Sequence, residues 1–232
     1  YLEKKRVHLL SFMDHSPGQG QYRNIEHYRT YIRSEKKMSE EEVEQEVQRH
    51  MHSEKLTLDK IREAAKLAQE QGISIASHDD DTIEKLDVVQ DFGATISEFP
   101  ITLEVAKEAK RRGMYTVVGA PNILLGGSHS GNMNAKDAIE ANAADILCSD
   151  YYPASLLHAI FQMTEKGQKF EDMVAKVTIM PARATGIDSE YGSIEKGKKA
   201  DLLIIRMLPN HLPAITDVFV DGLCIAQNHY RM

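Results

Sequence analysis

Cysteine is scarce in this chain of 232 residues: only Cys148 and Cys224 occur, and no CxxC spacing is present. That pattern argues against both a thiolate metal site and a disulfide framework. Each cysteine lies inside an apolar run, so two buried, reduced thiols are expected, as in a cytoplasmic protein. Long apolar runs are missing too. No stretch approaches the roughly 18 residues that a bilayer span requires, so no membrane is expected as a partner. Positive charge is also in deficit, with 28 Lys and Arg against 35 Asp and Glu and a net charge of −7. Nucleic acid is therefore a poor partner. A phosphorylated small molecule remains compatible, because a pocket can be basic within an acidic protein. The sequence opens at Tyr1 with no basic-then-apolar leader, so no secretion signal is expected. Because that opening falls close to a strand-like run, truncation is the expectation. Internal repeats beyond the alternation described next, and low-complexity tracts, are absent.

What is present is a repeating alternation. Apolar runs at 7–13, 73–77, 95–99, 115–118 and 145–148 are nearly continuous, as strands buried on both faces are. Between them lie helical patterns with readable ends. Ser39 followed by Glu42 makes a capping box, with Val43, Val47 and Met51 recurring on one face. A second helix starts near Thr57 and stops at Gly72; a third follows Thr102 and stops at Gly113. Further helices are predicted over 155–165 and 170–177. Strands alternating with helices imply a βα architecture, either a barrel or an open doubly wound sheet. After about Ile187 the pattern changes to short strands at 200–206, 215–220 and 223–226, with Asp221-Gly222 as a hairpin turn. The acidic stretch 34–54 reads as a solvated helix face.

Three strand ends carry ionisable groups. They read Met13-Asp14-His15-Ser16-Pro17-Gly18, Ser77-His78-Asp79-Asp80-Asp81 and Ser149-Asp150-Tyr151-Tyr152-Pro153. A lone histidine at a strand end is usually just a hydrogen-bonded loop residue. Three groups in the same topological position point instead to the mouth of a parallel barrel, where barrel catalysis occurs. Two imidazoles and a carboxylate suit a borderline divalent ion such as zinc, with manganese, iron or magnesium as alternatives. The glycine-rich stretch Gly126-Gly127-Ser128-His129-Ser130-Gly131-Asn132 is the candidate phosphate contact, since glycines let backbone N–H groups approach anionic oxygens. Arg23 and Arg29, beside Tyr22 and Tyr28, are further candidates to bind phosphate charge.

The order His15, His78, Asp150 is similar to the ligands on strands five, six and eight of amidohydrolase-superfamily barrels. The tail Gly192-Ser193-Ile194-Glu195-Lys196-Gly197-Lys198-Lys199-Ala200-Asp201-Leu202 resembles that superfamily's return into a small β domain, and Pro181-Ala182-Arg183-Ala184-Thr185-Gly186 resembles the preceding helix. More specifically, Met13 to Gln19, Tyr28-Arg29-Thr30-Tyr31, Ser77-His78-Asp79-Asp80, Ser97-Glu98-Phe99-Pro100, Gly119-Ala120-Pro121-Asn122, the Gly126 to Asn132 loop and Ser149-Asp150-Tyr151-Tyr152-Pro153 resemble the diphosphatase family of the carbon–phosphorus lyase pathway. The resemblance implies hydrolysis of α-D-ribose 1-methylphosphonate 5-triphosphate to the 5-phosphate and diphosphate. By it, His15, His78 and Asp150 bind the metal and Asp150 also takes the water's proton. It implies the second half of a (β/α)₈ barrel, strands five to eight, over 1–187, then part of a β-sandwich over 188–232. A homo-oligomer is the expected assembly.

Two departures stand out. The family's His-x-His on the first strand and bridging carboxylate on the fourth have no counterpart here, so metal binding by this stretch alone is expected to be weak or absent and the stretch alone to lack activity. His50-Met51-His52 lies in a helical segment, where residues two apart diverge. The alternatives are an amidase or cyclic-imide hydrolase of dihydroorotase type, and a non-catalytic assembly or binding domain.

Overall fold

The computed structural model describes residues 7–22, 24–53, 55–127 and 132–230. All five apolar runs become strands of one parallel sheet: β1 (Leu9–Phe12), β2 (Ser74–His78), β3 (Ile96–Glu98), β4 (Tyr115–Gly119) and β5 (Ile146–Cys148). Their spatial order is their chain order, β1-β2-β3-β4-β5. A doubly wound sheet reverses direction at a switch point, so this unbroken order is the arc of a (β/α)₈ barrel. Strands five to eight would number four. The structure has five, because both β3 and β4 lie between the strand of His78 and the strand leading to Asp150.

Alternation along each strand separates two faces. One carries Ala76, Ile96, Val117 and Ile146, packed with Leu9, Tyr115, Cys148 and Met180. The other is covered by helices. Three of these repeat one design: α3 (Leu58–Glu70), α4 (Ile83–Asp91) and α5 (Leu103–Arg111). Thr57, Thr82 and Thr102 cap their N-termini, accepting from backbone N–H groups three residues on. Each helix stops at a glycine with positive φ: Gly72 (68°), Gly93 (88°) and Gly113 (83°). Ile75, Leu86, Val89 and Val105 are buried between these helices and the sheet, each contributing on the order of 1.5–3 kcal/mol of burial. The remaining cover comes from α6 (Ala120–Leu125), α7 (Ala135–Glu140), α8 (Ser155–Glu165) and α9 (Phe170–Ala175), around Ile123, Ile139, Ile160 and Met163. The helix predicted over 170–177 ends at Ala175, and α10 (Ile179–Ala184) follows.

Between β1 and α3 stands a helical hairpin, α1 (Ile25–Lys36) and α2 (Glu40–Met51). It has a small core of its own, Tyr28, Ile32, Val43 and Val47. The capping box at Ser39 and Glu42 is present in both directions. The C-terminal segment forms an antiparallel sheet, β6 (Leu202–Met207), β7 (Pro213–Val220) and β8 (Leu223–Gln227). Asp221 and Gly222 both take positive φ, 50° and 78°, as the hairpin turn requires. The burial expected of Cys224 is corrected here. Every residue of β8 is exposed, so that thiol faces solvent, while Cys148 is half-buried on the inner sheet face. Among the described residues, no helix is long and apolar enough to cross a membrane.

Candidate metal centre

The C-terminal strand ends share a backbone signature. Asp79 directly follows β2, Phe99 directly follows β3, and Asp150 lies two residues beyond β5. All three have left-handed φ: 54°, 53° and 48°. Such values are uncommon in residues other than glycine and accumulate at functional sites. Continuing the inner-face alternation puts Ser11, His78, Glu98, Gly119 and Cys148 on the inner face at this end of the sheet, with His78 opposite Glu98 and Gly119 opposite Cys148.

At this end of the sheet the structure brings His15 and His78 together with a residue that strand-end pattern reading passed over, Asp79. His15 Nε2 lies 3.2 Å from Asp79 Oδ2, and His78 Nδ1 lies 3.2 Å from Asp79 Oδ1. The imidazole centroids are 5.3 Å apart. Potential ligand atoms of the three residues all fall within 4.8 Å of one another. The Asp79 side chain is 4% exposed, that of His78 16% and that of His15 38%. Both imidazole contacts are at ion-pair distance yet misaligned for hydrogen bonding. His15 Nε2, His78 Nδ1 and Asp79 Oδ2 are therefore buried without a hydrogen-bond partner. Three orphaned donor atoms converging on one point are costly in a finished core. They fit a divalent ion, which would take a lone pair from each. Burial pushes the Asp79 carboxyl upward, but the two imidazoles beside it outweigh that and hold it at about 2. It is thus an anion across the neutral range.

A turn from the β1 side closes over this carboxylate. Gly20, with φ 53°, begins the 3₁₀ turn Gly20–Tyr22, and a Cβ there would lie 3.1 Å from Asp79 Cβ. Only glycine combines that backbone with that approach. Tyr22 then packs its ring 6.2 Å from His15, edge-on, and 4.9 Å from Tyr28. Burial, the neighbouring Tyr31 and Tyr28, and the Asp79 charge push the Tyr22 phenol up to about 12. Glu98 accepts from Ser11 Oγ at 2.5 Å, adding a second carboxylate to the mouth.

Other expected site residues are placed differently. Asp150 is exposed, and the ligand cluster does not include it. It stands beyond the opposite edge strand, with Gly119 and the Phe99 ring between; Phe99 in turn packs 5.1 Å from His78. Arg29 is committed to Glu26 and Glu44 (2.8 Å) on the α1–α2 hairpin. Gly126 and Gly127 spend their backbone N–H groups on the α6 carbonyls of Ile123 and Asn122. They form a helix C-cap, whose polarity disfavours an anion. Asn132 follows in the described chain, whereas Ser128, His129, Ser130, Gly131 and Arg23 lie outside the described residues. His50 and His52 diverge as expected: His50 Nδ1 meets the Tyr28 hydroxyl, and His52 Nδ1 meets the Gln48 carbonyl.

Comparisons with known proteins bear on the family and the fold. The chain is 38% identical over 215 residues, 91% of its length, to α-D-ribose 1-methylphosphonate 5-triphosphate diphosphatase of Escherichia coli K12. It spans 57% of that relative's length. A 48-residue segment, 21% of this chain and 11% of the relative, is 52% identical to 5-methylthioadenosine/S-adenosylhomocysteine deaminase of Symbiobacterium thermophilum. An amidohydrolase structure from Thermotoga maritima superposes with a TM-score of 0.57 at 18% identity, over 95% of this chain and 62% of that one. A β-aspartyl dipeptidase from Fervidobacterium islandicum gives 0.57 at 16%, over 75% and 54%. At such identities the structural likeness speaks for fold alone. The amidohydrolase family matches from residue 6 to residue 224, over a sheet built as an arc of such a barrel, and this chain belongs to that family.

Proposed function

We propose that this chain carries the metal-binding strand ends of a hydrolase acting on a phosphorylated small molecule, with α-D-ribose 1-methylphosphonate 5-triphosphate as the first substrate to test. The observation behind the metal site is the trio of buried, unpartnered donor atoms on His15, His78 and Asp79. The substrate reading is supported by 38% identity over 91% of the chain to a diphosphatase.

A divalent ion supplies Lewis acidity and acidifies a nearby water, and two imidazoles with one carboxylate suit zinc. His15 and His78 offer nitrogen lone pairs to it, and Asp79 is ionised and ready to bind without losing a proton. In the hydrolysis, a water oxygen forms a bond to the phosphorus nearest the ribose. The bond from that phosphorus to the diphosphate oxygen breaks, and the departing diphosphate carries away the electron pair. By the family resemblance Asp150, exposed at the same end of the sheet but outside the donor cluster, would take the water's proton once substrate bridges the two. Glu98 and Ser11 line the mouth and hold hydrogen-bonding capacity for substrate hydroxyls.

A second reading, deamination of a nucleoside, draws on the 52% identity over 48 residues to a methylthioadenosine deaminase. One chimera separates the two. The matching stretch of the E. coli diphosphatase is replaced by this chain, and the protein is offered the ribose triphosphate, 5-methylthioadenosine and a cyclic imide. Release of diphosphate, lowered about 100-fold or more by Asp150→Asn, is the expected result. A folded, metal-loaded chimera that releases ammonia instead would replace the diphosphatase reading with the deaminase one.

A further inference from the structure

Beneath the donor cluster lies a second polar network that the hydrolytic reading leaves unused. Asp80 is fully buried. Its Oδ2 accepts from Ser77 Oγ at 2.6 Å and from Ser97 Oγ at 2.5 Å. Its Oδ1 is buried without a hydrogen-bond partner and lies 3.5 Å from Lys85 Nζ. Lys85, in the first turn of α4, donates from that ammonium to the backbone carbonyl of His78 at 2.8 Å and to that of Asp79 at 2.9 Å. One cation thus holds the carbonyls of two of the three donor residues, and a buried carboxylate balances its charge.

The backbone explains why such a grip is needed. Two successive carbonyls reach one ammonium only if the chain turns sharply between them, and Asp79 makes that turn at φ 54°. A left-handed backbone costs any residue with a Cβ, an aspartate less than most, so the hold on its two flanking carbonyls adds to a tolerance the residue already has. Buried charge, in turn, is retained only where it is paired and hydrogen-bonded. Relaxation of residue 79 to an extended backbone would swing its carboxylate away from His15 and His78.

We propose that Asp80 and Lys85 form a positioning clamp that fixes the left-handed turn at Asp79 and so sets the spacing of the metal-binding side chains. The inference rests on the metal-site reading above, and the test separates the two. Lys85→Met combined with Asp80→Asn removes both charges at nearly constant shape, avoiding an orphaned buried carboxylate. Cobalt(II) is titrated into this variant and the unaltered chain, following the ion's visible absorption, with melting curves recorded without metal. The clamp requires metal-free melting close to that of the unaltered chain, about 10- to 100-fold weaker cobalt binding, and a changed absorption band at saturation. A folded variant with unchanged affinity and band would overturn it. Should the double variant not fold, Ser97→Ala decides, since it removes one hydroxyl from Asp80. Weakened cobalt binding then supports the clamp, and unchanged binding overturns it. An unaltered chain that binds no cobalt would instead sink the metal site itself, and the clamp with it.

Discussion

Asp79 shows what a sequence can and cannot yield at the scale of single residues. His15 and His78 are legible because each follows an apolar strand. Asp79 sits in the same segment, but its role depends on a left-handed backbone and on β1 lying beside β2, neither of which is visible in residue order. The carboxyl titrates at about 2 instead of 3.8. A depressed carboxyl stabilises the fold above its ordinary value, and that contribution disappears as pH falls from 3.8 through about 2. In chelator-treated protein, the stability advantage of the unaltered chain over Asp79→Asn should therefore shrink between neutral pH and pH values near 2. Urea midpoints at the two extremes measure it, and a constant difference would contradict the assignment. The thiols give a second check. Burial pushes Cys148 up to about 11, whereas Cys224 is exposed. A thiol reagent at mildly alkaline pH should modify Cys224 in the native chain and reach Cys148 only on unfolding. Rapid modification of both would place the Cys148 strand end open to solvent.

Elements were the most readable level. Threonine caps at 57 and 102, glycine stops at 72 and 113 and the Ser39–Glu42 box all appear where the sequence puts them, because caps are decided within a few residues. Helix α4 escaped notice because it is weakly amphipathic, although Thr82 and Gly93 repeat the design of its neighbours. The Gly126-Gly127 pair shows a motif only partly placed, since Ser128 to Gly131 lie outside the described residues. A glycine-rich loop suggested phosphate contact, but these glycines end a helix, and their N–H groups are already used. The α1–α2 hairpin keeps its own core, so damage to its cap should stay local. Ser39→Ala is expected to cost about 1 kcal/mol and to speed amide exchange across residues 25–51 about fivefold. Exchange in β2 to β4 should not change. Equal acceleration in those strands would mean the hairpin and sheet unfold together.

At the scale of the whole molecule, the barrel arc followed from alternating apolar runs and helices, and chain-order pairing then separated a barrel from a doubly wound sheet. Sequence could not show how the strand ends converge. His15 and His78 meet across neighbouring strands, while Asp150 stands at the far edge of a five-stranded sheet. Family resemblance foresaw the fold and two of the three clustered donors. The third came from geometry, and so did the exposure of β8, whose apolar Leu223 and Ile225 gave no sign of it. The claim on which everything else depends is that His15, His78 and Asp79 hold a divalent ion. Equilibrating the chain with zinc, dialysing it against metal-free buffer and measuring retained metal by mass spectrometry tests this most directly, with His15→Ala/His78→Ala treated alongside. The account requires about one ion per unaltered chain and near-complete loss in the variant. Equal retention by the two, or none by the unaltered chain, would contradict it.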